Sequence, residues 1–272
     1  MKANSKGISK EKGVKMIKIS HEIPVGLFPQ HDFINDYPYA LAHLLMAGTE
    51  HYESTYAKFY RAKLQTAEFS ILDNSCYELG EPIDSHTLYM LGEEYKPTHI
   101  VVPDMYQNMA GTVASVFRHI KEYGKASTPK FFAVIQGVTM REYTECFDEF
   151  VKEESIDIIG VNFRTLSDGK SRQDFLKHLL DAGKFGLKKI HLLGCENASE
   201  FLEYDKEIMD KVHSVDTSAP IVHGWNLNQF THTPFSYKKS NEKIAEHLFK
   251  NLSRQQYDMI SHNVKMFRSY IH

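Results

Sequence analysis

Cysteine is scarce in this sequence: Cys76, Cys146 and Cys195 are the only three in 272 residues, 70 and 49 positions apart. No two have the Cys-x-x-Cys spacing of a self-contained zinc site, and three scattered thiols build no disulfide framework. A reduced, cytoplasmic setting is the expectation. Long apolar runs are missing as well. None approaches the ~18 residues that a membrane span needs, so no membrane partner is expected. Neither sign of charge dominates: 32 Lys and Arg face 35 Asp and Glu, a net charge of -3. That balance offers no global attraction for nucleic acid and moves any such claim to local patches. Two phosphate-binding signatures are absent too, Gly-x-Gly-x-x-Gly after the first apolar run and Gly-x-x-x-x-Gly-Lys-Ser/Thr anywhere.

What the sequence does have is a series of short apolar runs, each stopped by a polar residue or glycine. Phe69-Ser70-Ile71-Leu72 stops at Asp73, His99-Ile100-Val101-Val102-Pro103 at Asp104, and Phe131-Phe132-Ala133-Val134-Ile135 at Gln136. Ile156-Asp157-Ile158-Ile159 stops at Gly160, Ile190-His191-Leu192-Leu193 at Gly194, and Val212-His213-Ser214-Val215 at Asp216. The intervals are 31, 32, 24, 34 and 22 residues, close to the ~30 of a βα unit with its loops. Between the runs lie helical patterns at Met109–Tyr123, Met140–Glu154, Ser171–Leu180 and Ser199–Met209. Asn197-Ala198-Ser199-Glu200 offers cap chemistry for the last of these. Met16–Val25 reads as a first strand, ended by Pro24 and Gly26. Residues 39–46 and 56–63 read as helical. The eighth strand has no clear place: Ile221-Val222-His223 follows Asp216 too closely for a crossover helix, and Thr231–Tyr237 is loop-like.

Strand–helix alternation over some 200 residues favours one α/β domain with a parallel sheet, and the length suits a (β/α)8 TIM-like barrel. A doubly wound open sheet is the rival. The expected organisation is a flexible basic arm over residues 1–15, which carries five lysines, then a barrel over 16–272 with two terminal helices from Glu242 onward. In such a barrel every strand end opens onto one face, where the chemistry sits.

Asp73 and Asp216 at two strand ends suit a reaction at a sugar anomeric carbon, one as nucleophile and the other as acid/base. Asp104 and Gln136 match the edge of guanine: a carboxylate accepts from the N–H and NH2 groups, and an amide NH2 donates to the carbonyl. Each of these side chains could instead cap the following helix.

In this order the segments resemble the guanine transglycosylases, which exchange guanine for a 7-deazaguanine and are best known acting on tRNA. Leu72-Asp73-Asn74-Ser75-Cys76-Tyr77-Glu78 is similar to the family's Ser-Asp-Ser-Gly-Gly-Phe/Tyr-Gln. The resemblance makes Asp73 the general acid/base and Tyr77 the aromatic residue stacked on the base. Pro103-Asp104 resembles the segment whose Asp holds N1 and the amino group, and Val134-Ile135-Gln136-Gly137 the Val-Gln-Gly motif whose Gln contacts O6. Ile159-Gly160-Val161-Asn162 is similar to the Gly-Leu-Ala stretch that offers backbone groups to the base. His191-Leu192-Leu193-Gly194 resembles Tyr-Leu-Met-Gly, with Leu193 beneath the base opposite Tyr77. Val215-Asp216-Thr217-Ser218 resembles the Phe-Asp-Cys segment of the nucleophile.

The departures are informative. The family's zinc subdomain of three cysteines and a histidine has no counterpart after Cys195, so no metal and no cofactor are expected, and His223, His232 and His247 read as ordinary surface residues. Ser75 and Cys76 replace paired glycines, and Glu78 replaces Gln, where it could meet a cationic substituent on the incoming base. A compact, zinc-free version resembles the phage-type enzymes that place 7-deazaguanines in DNA against restriction, in the host cytoplasm. The resemblance thus implies DNA as partner, with tRNA as the alternative. Candidate phosphate contacts are the Lys2–Lys18 arm, Arg164, Lys170, Arg172 and Lys238-Lys239. An N-glycosyl hydrolase using the same Asp pair and a noncatalytic partner subunit are the other readings.

Overall fold

The computed structural model describes residues 16–48, 54–162, 165–195, 200–231 and 247–271. The basic arm, Arg164, residues 196–199, His232 and Lys238-Lys239 lie outside the described residues. Eight parallel strands form one sheet: β1 (Lys18–Ser20), β2 (Tyr39–Leu41), β3 (Ile71–Asp73), β4 (His99–Val101), β5 (Lys130–Val134), β6 (Ile156–Asn162), β7 (Lys189–Leu193) and β8 (Val212–Asp216). Their order is β1-β8-β7-β6-β5-β4-β3-β2. The protein is a single-domain (β/α)8 barrel. Strands buried on both faces read as near-continuous apolar runs, which is why Phe131–Val134 and Ile156–Ile159 stand out in the sequence.

The eighth strand is the second in the chain. Tyr39–Leu41, expected to be helical, pairs in parallel with Ile71–Asp73. Ile221-Val222-His223, too close to Asp216 to be a further parallel strand, belongs to a helix, Ala219–Trp225. No ladder joins β1 to β2 among the described residues; side chains bridge the seam. Asp36 accepts from the Ile19 amide at 2.8 Å, and Asn35 both accepts from His21 N–H (2.7 Å) and donates to His21 C=O (2.9 Å). Ser20 Oγ donates to Tyr37 C=O at 2.9 Å. Peptide groups that a closed ladder would pair are thus satisfied by an Asx pair.

The helices are α1 (His31–Ile34), α2 (Thr55–Thr66), α3 (Cys76–Leu79), α4 (Ser85–Tyr95), α5 (Met109–Tyr123), α6 (Met140–Val151), α7 (Arg172–Asp181), α8 (Glu200–Glu203), α9 (Lys206–Met209), α10 (Ala219–Trp225) and α11 (Arg254–Ile271). Their caps are local. Asn108 caps α5, while Thr139 with Glu142 and Ser171 with Asp174 form capping boxes on α6 and α7. Asp104 and Asp216 are therefore not spent on helix starts. Of the two terminal helices expected, α11 is described. It packs on α10 and beside β1, where Phe267 meets His21 edge-on and Arg268 pairs with Asp36 at 3.0 Å.

The α10–α11 crossing depends on Gly224. A Cβ there would lie 2.6–2.7 Å from Ile260 side-chain and backbone atoms. A backbone neighbour cannot swing aside, so Gly224→Ala is expected to destabilise the fold by roughly 1–3 kcal/mol, read as a lower urea midpoint.

Candidate active site

Two of the predicted residues, Asp73 and Asp216, are the final residues of β3 and β8, so both carboxylates sit at the C-terminal mouth. Tyr39 on β2 donates its hydroxyl to Asp73 Oδ2 at 2.6 Å. His191 on β7 contacts Asp216 Oδ1 through Nε2 at 2.9 Å. A carboxylate only accepts, so Nε2 carries a proton; Nδ1 lies 2.8 Å from Ser214 Oγ. The Tyr39 and His191 rings lie 6.3 Å apart and nearly parallel. Strands β2 and β7 are not neighbours in the sheet, so these rings meet across the barrel interior and link the two carboxylates.

The electrostatics of the mouth are those of crowded acids. Burial, then the nearby Glu78, pushes the Asp73 carboxyl up to about 8, with Asp216 adding to the rise. The bonds from Tyr39 and the Ser75 amide oppose it. Glu22, just past β1, is raised well above the carboxylate range by burial and by Glu78, Asp73 and Asp216. Its Oε1 is buried without a hydrogen-bond partner among the described residues. Like charges at close range cannot all ionise, so the mouth holds protons at neutral pH. Removing the Tyr39 hydroxyl takes away a donor to the ionised form. Tyr39→Phe is therefore expected to move the Asp73 titration up by about one unit, measurable by carboxyl NMR.

Asp104 and Gln136 are brought together and buried, in the loops after β4 and β5. They bond to each other: Gln136 Nε2 donates to Asp104 Oδ2 at 2.6 Å, and Asn74 Nδ2 donates to Asp104 Oδ1 at 2.7 Å. Gln136 Oε1 accepts from the Gln107 amide at 3.1 Å. Reading a base edge would require this pair to exchange partners, with the Gln136 amide released from Asp104. Gly137 lets α6 approach, since a Cβ there would meet Glu142 at 2.8 Å.

Gly160 was expected to end its strand, but β6 continues to Asn162. A Cβ at Gly160 would sit 2.4 Å from Phe132 and 2.8 Å from Leu193, so only glycine fits between them. Its carbonyl accepts from the Ile135 amide, and that of Val161 accepts from Arg172. The carbonyls expected to face a base are therefore engaged within the protein. Leu193 packs at the floor of the mouth against Gly160, whereas Tyr77 stands on α3 at the rim, 59% exposed. Ser75 adopts φ 58°, the left-handed region that glycine occupies without strain. Its amide bonds to Asp73 Oδ1 at 2.7 Å and its hydroxyl accepts from His43 N–H at 3.1 Å, which hold the turn. Gly194 has φ 59° and turns its N–H to Asp216, 3.3 Å from both oxygens.

Three expectations need correction. Arg172 is not a phosphate contact: it is buried and paired with Glu200 at 2.6 Å. Lys18 starts β1, at the end of the barrel opposite the mouth, with its ammonium over Phe69. His223 and His247 are buried rather than surface residues. Lys170 is exposed. Four residues of the mouth carried no assigned role in the sequence: Tyr39, His191, Glu22 and Asn74. For His191 and Ser214 a signal existed, namely polar residues inside otherwise apolar strands. Tyr39 was hidden by a helical-looking segment. Among the described residues no His, Cys, Asp or Glu cluster is arranged to hold a metal ion, and no helix is long and apolar enough to cross a membrane.

No family model matches the sequence, and neither does any curated protein. One solved structure that it resembles is described as a "putative dihydrodipicolinate synthetase from Pseudomonas aeruginosa". That likeness has 12% identity and a TM-score of 0.47, over 75% of this chain and 71% of the other. It is too distant to bear on chemistry.

Proposed function

We propose that the protein is a base-exchange transglycosylase, a pentosyltransferase that replaces guanine in DNA with a 7-deazaguanine derivative. The observation that carries this reading is the pairing of Asp73 and Asp216 across one mouth, bridged by Tyr39 and His191. The two carboxyls have different surroundings. Asp73 is buried against acids and holds a proton near neutral pH, while Asp216 is oriented by two N–H donors. Such a difference is what an acid and a nucleophile need.

In the proposed sequence Asp216 attacks C1′ as the C1′–N9 bond breaks, and Asp73 gives its proton to the leaving guanine. The ionised Asp73 then takes the N9 proton of the incoming base, whose N9 attacks C1′ and releases Asp216. Configuration at C1′ is retained after two inversions. The target nucleotide must be single-stranded or flipped out. Asp104 and Gln136 would read the base edge after giving up their mutual bond, and Leu193 and Tyr77 would cover its faces. The Gly160 and Val161 carbonyls, already bonded to the Ile135 amide and to Arg172, would have to be released to take part.

Mass spectrometry of nucleosides from DNA and tRNA incubated with enzyme and 7-deazaguanine bases tests this. Incorporation into DNA is the expected result; incorporation into tRNA alone would transfer the assignment. The second reading, an N-glycosyl hydrolase, uses the same Asp73 and Asp216 pair with water in place of the incoming base. It predicts release of free guanine with nothing incorporated.

A further inference from the structure

We propose that Arg172 is a positioning residue that aims the Gly194 N–H at the Asp216 carboxylate. The proposal rests on the reading of Asp216 as the reacting carboxylate. Arg172, at the first position of α7, spends all five of its guanidinium protons inside the protein. Nε and Nη2 grip Glu200 in a bidentate pair, each at 2.7 Å. Nη2 also reaches Cys195 Sγ at 3.3 Å, and Nη1 donates to Leu193 C=O at 2.6 Å and Val161 C=O at 3.2 Å.

The Leu193 carbonyl and the Gly194 N–H belong to one peptide plane. In a trans peptide they point in opposite directions. Holding the carbonyl on Arg172 therefore sends the N–H the other way, onto Asp216. Gly194 has φ 59°, and a bare glycine has no side chain to keep that plane from rotating. The next residue is fixed as well: the Cys195 amide bonds to the Asp216 carbonyl at 3.0 Å. Glu200, the anchor of this arrangement, comes from α8, beyond β7. Tyr204 donates its hydroxyl to the same carboxylate. A lysine cannot replace this fork, because one ammonium does not span four separate acceptor groups.

The test compares Arg172→Met, Arg172→Lys and Glu200→Gln with Leu88→Ala, a buried change on α4, a helix that carries none of the residues named at the mouth. Two quantities are read: hydrogen exchange of the Gly194 amide by NMR, and kcat and KM for incorporation of labelled guanine into DNA. Arg172→Met is expected to speed Gly194 exchange by at least about tenfold. It should also lower kcat roughly 10–100-fold at unchanged KM. Arg172→Lys should not rescue either quantity, and Glu200→Gln should move both in the same direction by less. Leu88→Ala should lower the melting temperature while leaving Gly194 exchange and kcat within about twofold. Should Arg172→Met not fold, Glu200→Gln decides alone. Gly194 exchange unchanged in the folded variants would overturn the proposal, as would loosened Gly194 with an unchanged kcat. If the wild-type protein incorporates no base, the functional reading fails, and the amide measurement still decides whether Arg172 sets Gly194.

Discussion

An Asp216→Asn variant is expected to lose base exchange by about 10⁴-fold or more while folding normally. The amide keeps the shape and can still meet the Gly194 N–H, but it cannot form the ester to C1′. The substitution also confronts His191. An amide can present either its oxygen or its NH2 to Nε2, so the imidazole loses the obligatory acceptor that set its tautomer. His191→Phe should therefore reduce exchange less than Asp216→Asn, because it removes orientation and leaves the nucleophile. Equal losses in the two variants would mean that the imidazole, rather than the carboxylate, carries the chemistry. Labelled-guanine incorporation at saturating DNA measures both.

The second large effect is on pH dependence and belongs to Asp73. An unfolded aspartate titrates near 3.8, and burial beside Glu78 moves the folded group to about 8. Between those values the native state holds a proton that the unfolded chain has released. Stability is thus fullest below the unfolded value and falls as pH rises through the window toward the folded one. The expected loss is several kcal/mol, seen as a melting temperature that declines from acid to mildly alkaline pH. Asp73→Asn should flatten the decline in part; Glu22, raised in the same direction, supplies the rest. Asp157, lowered to about 2 by Lys189 and His99, acts below this window with the opposite sign. Catalysis should follow the same group. In the first step Asp73 must be protonated, so formation of the covalent intermediate is expected to fall off above about pH 8. A melting temperature that is flat across the range would show that the mouth is not crowded as described.

Much of this architecture could be read in the chain, because fully buried parallel strands write themselves as apolar runs. The ends of β3 and β8 fall on Asp73 and Asp216, the residues on which the functional reading turns. Tyr39-Ala40-Leu41 carries no strand signal because a three-residue strand shows no period, and its apolar neighbours continue with helical spacing. Ile221-Val222-His223 follows Asp216 too closely for a crossover helix, and its exclusion as the eighth strand holds: it lies in the helix Ala219–Trp225. Arg172 looked like a surface cation because its partner, Glu200, is 28 residues away. Long-range pairing of that kind leaves no local mark. The mutual bond of Asp104 and Gln136 leaves no local mark either. Their chemistry suggests what they could bind, and it is the fold that makes them bind each other first.

The central claim is that Asp216 becomes covalently joined to a sugar in this mouth. Peptide mass spectrometry of enzyme quenched during turnover on guanine-containing DNA tests it most directly. The account predicts a nucleotide-derived adduct on the peptide carrying Asp216, discharged when a 7-deazaguanine base is added. Guanine released in quantities exceeding the enzyme with no adduct formed, or an adduct on any other residue, would contradict it.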